Sequence, residues 1–410
     1  MTAFLAILDF MFNLIPSGAI TSASGFLAGA VHAGIKSEDE LDLTILYSEV
    51  PCNSAGVFTT NQIKSAPAVL SQRRISEKKN VRAVVANSGC ANAYVGEQGL
   101  KDALDMANLA ATKLGIASQE VLVSSTGVTG VPLPMNCIRA GIDKIKPHKD
   151  GGHDFARAIM TTDTRPKEMA VQVDAGGVGF TIGGAAKGSG MIHPDMATML
   201  CFIATDARLE SSFLQSALQK AVDISFNMVS VDGDTSPSDC VLLLANGLAG
   251  KDLIGLDNGE PFQEALTGLC IYLAKSIAQD GEGATKLIEV TVEGAKHQGE
   301  ARQAARTIAS SMLVKAALFG NDPNWGRIVA ALGRSGIEVM ESKLDVYLND
   351  TCVMKRGRPV PFNKEELMEA LSHSDSVFIR VSLNLGEGRA TAWGCDLSEE
   401  YVRINSEYTT

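Results

Sequence analysis

The chain has 410 residues, 45% of them hydrophobic and 20% charged, which is ordinary for a folded protein with material for more than one core. Its net charge of −11, with Lys and Arg scattered along the chain, excludes the basic face that a nucleic-acid surface needs. Its eight cysteines include no CxxC pair and no His at ligand spacing, so a zinc site and a disulfide framework are both excluded. Reduced, buried thiols in a cytoplasmic protein fit best.

In chain order, the opening MTAFLAILDFMFNLIP is apolar but shorter than a membrane span. It has no Lys or Arg and is interrupted by Asp9 and Asn13, so it reads as a packing extension or an over-long start, with a signal or anchor as the lesser reading. VRAVVAN (81–87) is a predicted buried strand, followed by a helix over 99–115. EVLVSSTGVTG (120–130) is strand then turn, with Gly127 and Gly130 supplying permissive backbone. Apolar residues three and four apart predict helices over 136–145 and 153–163. The alternation of 168–188, with glycines at its middle, predicts a hairpin. TMLCFIATDA (198–207) reads as a strand, and 211–230 and 261–279 as helices. KLIEVTVEG (286–294) is an alternating strand, and 301–320 one long helix. Strands over 344–350, 376–386 and 389–398 close the chain. With no short-period repeat, the pattern is one compact α/β body with subdomains.

The common catalytic signatures fail. The six histidines form no HExxH, no GxSxG elbow exists, and GGAAKGSG (183–190) puts Lys187 before its last glycines, against P-loop spacing. What remains is KGSGMIHPDMATML (187–200), where Thr198 stands between a Gly-rich loop and an apolar strand. Threonine is a poor nucleophile without an adjacent base, and one such base is its own α-amine when Thr is the first residue. A free α-amine titrates at about 7.7–8.0, suited to a general base near neutrality. Thr198 is internal, so the Ala197–Thr198 bond would first have to break. The side-chain oxygen attacks its own preceding carbonyl through a five-membered ring, and water then frees the amine. From these residues alone, a strand-start Thr capping a backbone group is the competing reading.

KGSGMIHPDMATML resembles the cleavage motif of the ornithine acetyltransferases of arginine biosynthesis, also called glutamate N-acetyltransferases. ANSGCANAY (86–94), SSTGVTG (124–130), MTTDTRPK (160–167), SVDGDTSPSD (230–239), AQDGEGATK (278–286), GNDPNWGRI (320–328) and the ending INSEYTT are similar to that family's blocks, in its order. The resemblance runs from about Ser17 to the last residue. It implies a layered α/β/β/α body cut between Ala197 and Thr198 into an α chain (1–197) and a β chain (198–410). These stay interlocked and pair as an α2β2 heterotetramer. Thr198 becomes the nucleophile, and Thr126 and Gly127 form the oxyanion hole. Thr161, Lys187, Thr198, Glu282, Asn405 and Thr410 contact substrate.

The implied reaction moves an acetyl group from N2-acetylornithine to glutamate through an acetyl-enzyme. It needs no metal or organic cofactor, although some members also take acetyl-CoA as a second donor. A related N-terminal-nucleophile aminopeptidase or amidase, and an uncleaved amino-acid-binding protein, are the rival readings. SPSD (236–239) departs from the family's pattern, which has Thr and Asn in that block.

Overall fold

The computed structural model describes residues 12–36, 39–77, 80–175, 178–193, 199–250 and 252–407. The first half contains β1 (Asn13–Leu14), β2 (Phe26–Val31), β3 (Leu43–Phe58), α1 (Ala66–Ser76), β4 (Val81–Asn87), α2 (Gly96–Leu114) and β5 (Val121–Ser125). There follow α3 (Met135–Lys144), α4 (Gly152–Ala158), β6 (Lys167–Ala175) and β7 (Val178–Lys187). The second half opens with β8 (Leu200–Thr205), α5 (Ser211–Asp223), β9 (Val229–Ser230), β10 (Cys240–Ala245) and α6 (Glu260–Gln279). It continues through β11 (Leu287–Ala295), α7 (Gln298–Ala309), α8 (Met312–Phe319), α9 (Trp325–Gly333), β12 (Asp345–Leu348), β13 (Thr351–Lys355) and β14 (Arg358–Pro359). It ends with α10 (Lys364–Ser372), β15 (Ser376–Ser382), β16 (Gly388–Cys395) and α11 (Glu399–Glu407).

The first sheet runs β1-β6-β7-β8-β10-β3-β4-β5, with β2 also on β3. It is folded over at β3, whose first half pairs with β2 and β4 and whose last six residues pair with β10. The β3–β4 register shifts between Tyr47 and Cys52, and Pro51, which cannot donate to a ladder, falls in that gap. The fold-over makes a sandwich. Leu46, Val84, Ala86 and Leu122 from one layer share a buried cluster with Leu200, Phe202, Leu242 and Leu244 from the other. Alternate residues point outward: Ile45, Ala83, Val85 and Val123 pack against α2 and α3, and Cys201, Ile203, Val241 and Leu243 against α5 and α6. This is the α/β/β/α layering expected. Phe155 of α4 closes the sandwich interior, edge-on to Phe202 at 5.2 Å between ring centroids.

A second sheet, β14-β13-β12-β15-β11-β16-β9, carries α7 on it and shares the core cluster with α6. Twelve residues of α6 are buried, on more than one face, as a helix wedged between two sheets requires. Where one helix was expected over 301–320, the chain breaks at Ser310–Ser311. Ser311 leaves the helical region (φ −73°, ψ 112°) and starts α8 in a new direction. The helix expected over 211–230 ends at Asp223, and Val229–Ser230 pair instead with β16. The helix expected over 153–163 stops at Ala158. All eight cysteines are free, six of them buried. Phe12 is buried and β1 pairs with β6, so the described end of the apolar opening does pack. No described helix is long and apolar enough to cross a membrane.

Candidate active site

A cleft opens at one end of the sandwich, where strand ends of both layers meet. Thr126, Gly127, Thr161, Lys187, Glu282 and Asn405 all line it, together with Ala91, Met191, Pro237 and Ser238. Six of the expected site residues, drawn from five separate sequence blocks, therefore share one cavity. Ala197, Thr198 and Thr410 lie outside the described residues. The strand that Thr198 precedes does reach the cleft: Leu200, at the start of β8, pairs with the cleft residue Lys187.

Thr126 and Gly127 follow directly on β5. The Thr126 N–H donates to the Asn87 carbonyl (3.0 Å), and the Val128 N–H to Gly89 (3.3 Å), so the turn is pinned on both sides to the loop after β4. Gly127 has φ +123°, and a Cβ there would lie 2.4 Å from the Gly89 carbonyl carbon; only glycine fits. Among the described residues neither the Thr126 hydroxyl nor the Gly127 N–H has a hydrogen-bond partner. Both are on a cavity wall. Two adjacent free donors on one rigid turn can stabilise a developing oxyanion.

Lys187 ends β7. It is 2% exposed, so it is no solvated loop lysine. Its Nζ donates to Thr161 Oγ1 (2.6 Å) and stands 3.8 Å from Asp163. Burial pulls its pKa down, against the Asp163 carboxylate, and the neighbouring Lys167 adds to the lowering. Asp163 organises this wall. It accepts from Lys167 Nζ (2.6 Å) and from the N–H groups of Gly188 (2.7 Å) and Thr161 (3.0 Å). Burial alone would raise its carboxyl; the Lys167 and Lys187 charges outweigh that and hold it well below the usual carboxylate range. Lys167 also reaches Asp280 (2.5 Å), which ties the 161–167 segment to the turn carrying Glu282. Sequence reading found the blocks containing Asp163, Lys167 and Asp280 but assigned them nothing. Their only signal was opposite charges spread through two otherwise unrelated blocks.

Glu282 sits on the turn after α6, with its N–H bonded to the Ser189 carbonyl (2.9 Å). The Glu282 carboxylate presses on Gly190, where a Cβ would come within 2.4 Å of it. Asn405 Nδ2 donates to Glu282 Oε2 (2.7 Å), so the tail expected to close the pocket reaches it. That tail is a helix, α11, capped by Ser398, whose Oγ takes the Tyr401 N–H (3.3 Å) and donates to the Gly283 carbonyl (2.6 Å). The block departing from the family's pattern contributes Ser236, Pro237 and Ser238 to the cleft wall.

A layered α/β body whose strand ends frame a cleft with two free donors and buried charged side chains has the architecture of an enzyme. The model described as the ArgJ family matches residues 27–410, and the chain belongs to that family. It is 51% identical over 402 residues to the arginine biosynthesis bifunctional protein ArgJ of Dehalococcoides mccartyi, covering 97% of this chain and 99% of that one. It is likewise 51% identical over 400 residues to the protein so named in Symbiobacterium thermophilum, covering 96% and 99%. A crystal structure of the Bacillus halodurans protein of that name is 44% identical, covering 50% of this chain and 96% of that one, with a TM-score of 0.49.

Proposed function

We propose that this chain cuts itself between Ala197 and Thr198 and then carries an acetyl group from N2-acetylornithine to glutamate on Thr198. The observation that supports this best is the convergence of the unpartnered Thr126 hydroxyl and Gly127 N–H with Lys187 and Glu282 around one cleft. In the forward half-reaction, Thr198 Oγ bonds to the acetyl carbonyl carbon while its proton passes to the α-amine. The carbonyl electron pair moves onto oxygen, facing Thr126 and Gly127. Collapse expels ornithine, which takes the proton back. Glutamate reverses the sequence and leaves as N-acetylglutamate. The two amino acids share an α-amino-acid core and differ in side-chain charge. Lys187 suits the α-carboxylate that both share, and Glu282 the side-chain ammonium of ornithine.

The acetyl group travels on the enzyme, so the reaction itself calls for no metal or organic cofactor. Acetyl-CoA as a second donor, a cytoplasmic location and an α2β2 assembly belong to the same reading.

The test is direct. Purified protein should run as two chains, the second beginning TMLCF, and Thr198→Ala should remain a single chain. Brief mixing with acetylornithine should add one acetyl mass to the 198–410 chain alone. A T198A chain cut normally, or no label on that chain, overturns the reading. Ornithine release that ignores glutamate would favour the aminopeptidase or amidase alternative. Acetyl-CoA in place of acetylornithine tests the second donor.

A further inference from the structure

A second hollow, sharing no lining residue with the cleft, lies where α6, α7 and β16 meet. Ile271, Met228 and Trp393 give it an apolar wall, the last two only 2% and 5% exposed. Trp393 stands opposite Glu289 in the β16–β11 ladder, and its Nε1–H donates to Glu289 Oε2 (2.9 Å). Lys275, reaching in from α6, donates to the same oxygen (2.8 Å). Glu289 is the one carboxylate lining the hollow, and it is already held from two sides. Arg302 of α7 and Arg389 of β16 also line it. Among the described residues neither guanidinium has a hydrogen bond or an ion pair. Glu293 feels the Arg389 charge but is bonded to Ser382 (2.6 Å) and Arg380 (3.3 Å), outside the hollow. Carboxylates are not scarce, since 47 Asp and Glu stand against 36 Lys and Arg over the chain. Three cations and one carboxylate leave this lining with a surplus of positive charge beside an apolar wall.

We propose that this hollow is a second binding site, for a small dicarboxylate that carries no free ammonium group. A guanidinium is planar and takes a carboxylate through two parallel N–H···O bonds, so Arg302 and Arg389 suit one carboxylate each. The aliphatic spacer between the acids lies against Trp393, Ile271 and Met228. An ammonium would meet three like charges there, and one carboxylate that Lys275 and Trp393 already occupy. Of the molecules in the proposed reaction, N-acetylglutamate belongs to this class; glutamate and ornithine carry ammonium groups and do not. The site uses none of the cleft residues, so it stands independently of the acetyl-transfer reading.

The chain has two tryptophans, Trp325 and Trp393, which allows a local test. In Trp325→Phe only Trp393 emits, and its fluorescence reports on this wall. Titration with glutarate, which has neither an acetyl group nor an amine, should change that emission saturably. Adding R302A and R389A together should weaken the apparent affinity at least about tenfold, the size of a charge-assisted contact. Acetyl-transfer kcat and KM should stay at the W325F values, because neither arginine lines the cleft. Glutamate should need at least about ten times the glutarate concentration for the same response. No saturable change, an unaltered titration in the double arginine variant, or glutamate equal to glutarate overturns the proposal. Inorganic phosphate that displaces glutarate at equal concentration also overturns it, by marking a site for any oxyanion. If W325F does not fold, equilibrium dialysis of labelled glutarate against the wild type and R302A/R389A decides in the same way. Failure of the acetyl-transfer reading looks different: no transfer, with the Trp393 response intact.

Discussion

Thr126 spends its N–H on Asn87, and Gly127 is held at φ +123° by the backbone of Gly89, so the turn that carries both free donors is fixed beside the cleft. Preorganised donors cost no reorganisation when charge develops, which is why they are effective. Thr126→Ala should leave the fold intact, because its side chain holds nothing else, and should slow acetylation and deacetylation alike by roughly 10²–10³-fold. Stopped-flow rates of each half-reaction check this. Loss in only one would mean that the hydroxyl contacts one substrate rather than a shared oxyanion.

At the scale of elements, two devices hold the walls of the cleft. The first is the Lys167–Asp163–Lys187 cluster, which ties β6 to the end of β7 and, through Asp280, to the turn after α6. Removing one partner of a buried ion pair strands the others, so Asp163→Asn should cost about 3–5 kcal/mol near neutrality. The Asp163 carboxyl is depressed in the folded state, so its stabilisation is complete above the unfolded value of about 3.9. It is lost as pH falls from there through the folded value. The gap in urea-unfolding free energy between wild type and D163N should therefore narrow below about pH 3.9. A gap that is constant down to pH 2 would contradict the assignment. The second device is α11, which has no buried residue and reaches the site through Asn405 on Glu282. Asn405→Ala should raise KM about tenfold, the size of a charge-assisted contact, with kcat changed less. An equal loss in kcat would place Asn405 in the chemistry instead.

Across the whole molecule, the boundary at Ala197–Thr198 does not separate two domains. β8 and β10 belong to the second half of the chain yet lie between β7 and β3 of the first, hydrogen-bonded to them on both sides. β8 and β10 are buried at every position, so pulling them out would expose two layers of core at once. Once cut, residues 1–197 and 198–410 should co-elute from a sizing column as one body and part only in denaturant. Two separate peaks under native conditions would show that the sandwich does not bind the pieces.

The chain's own pattern determined most of the local elements: β4, β5, the β6–β7 hairpin, β8, α2, α6 and β11 follow from runs and periods that neighbours reinforce. The resemblance picked out Thr126, Gly127, Thr161, Lys187, Glu282 and Asn405 because each lies in a short block of distinctive residues. β3 was not legible, since Pro51 interrupts its pattern, and only the two layers it joins turn that interruption into a bend. The break between α7 and α8 was not legible either, because Ser310 and Ser311 are tolerable inside a helix until packing redirects the chain. Asp163, Lys167 and Asp280 gained roles only through tertiary contacts with partners far off in sequence. Hydrophobic period and backbone preference are local and can be read along a chain. Burial of charge is a property of the assembled interior, where desolvation decides which carboxylates must find a cation or an N–H.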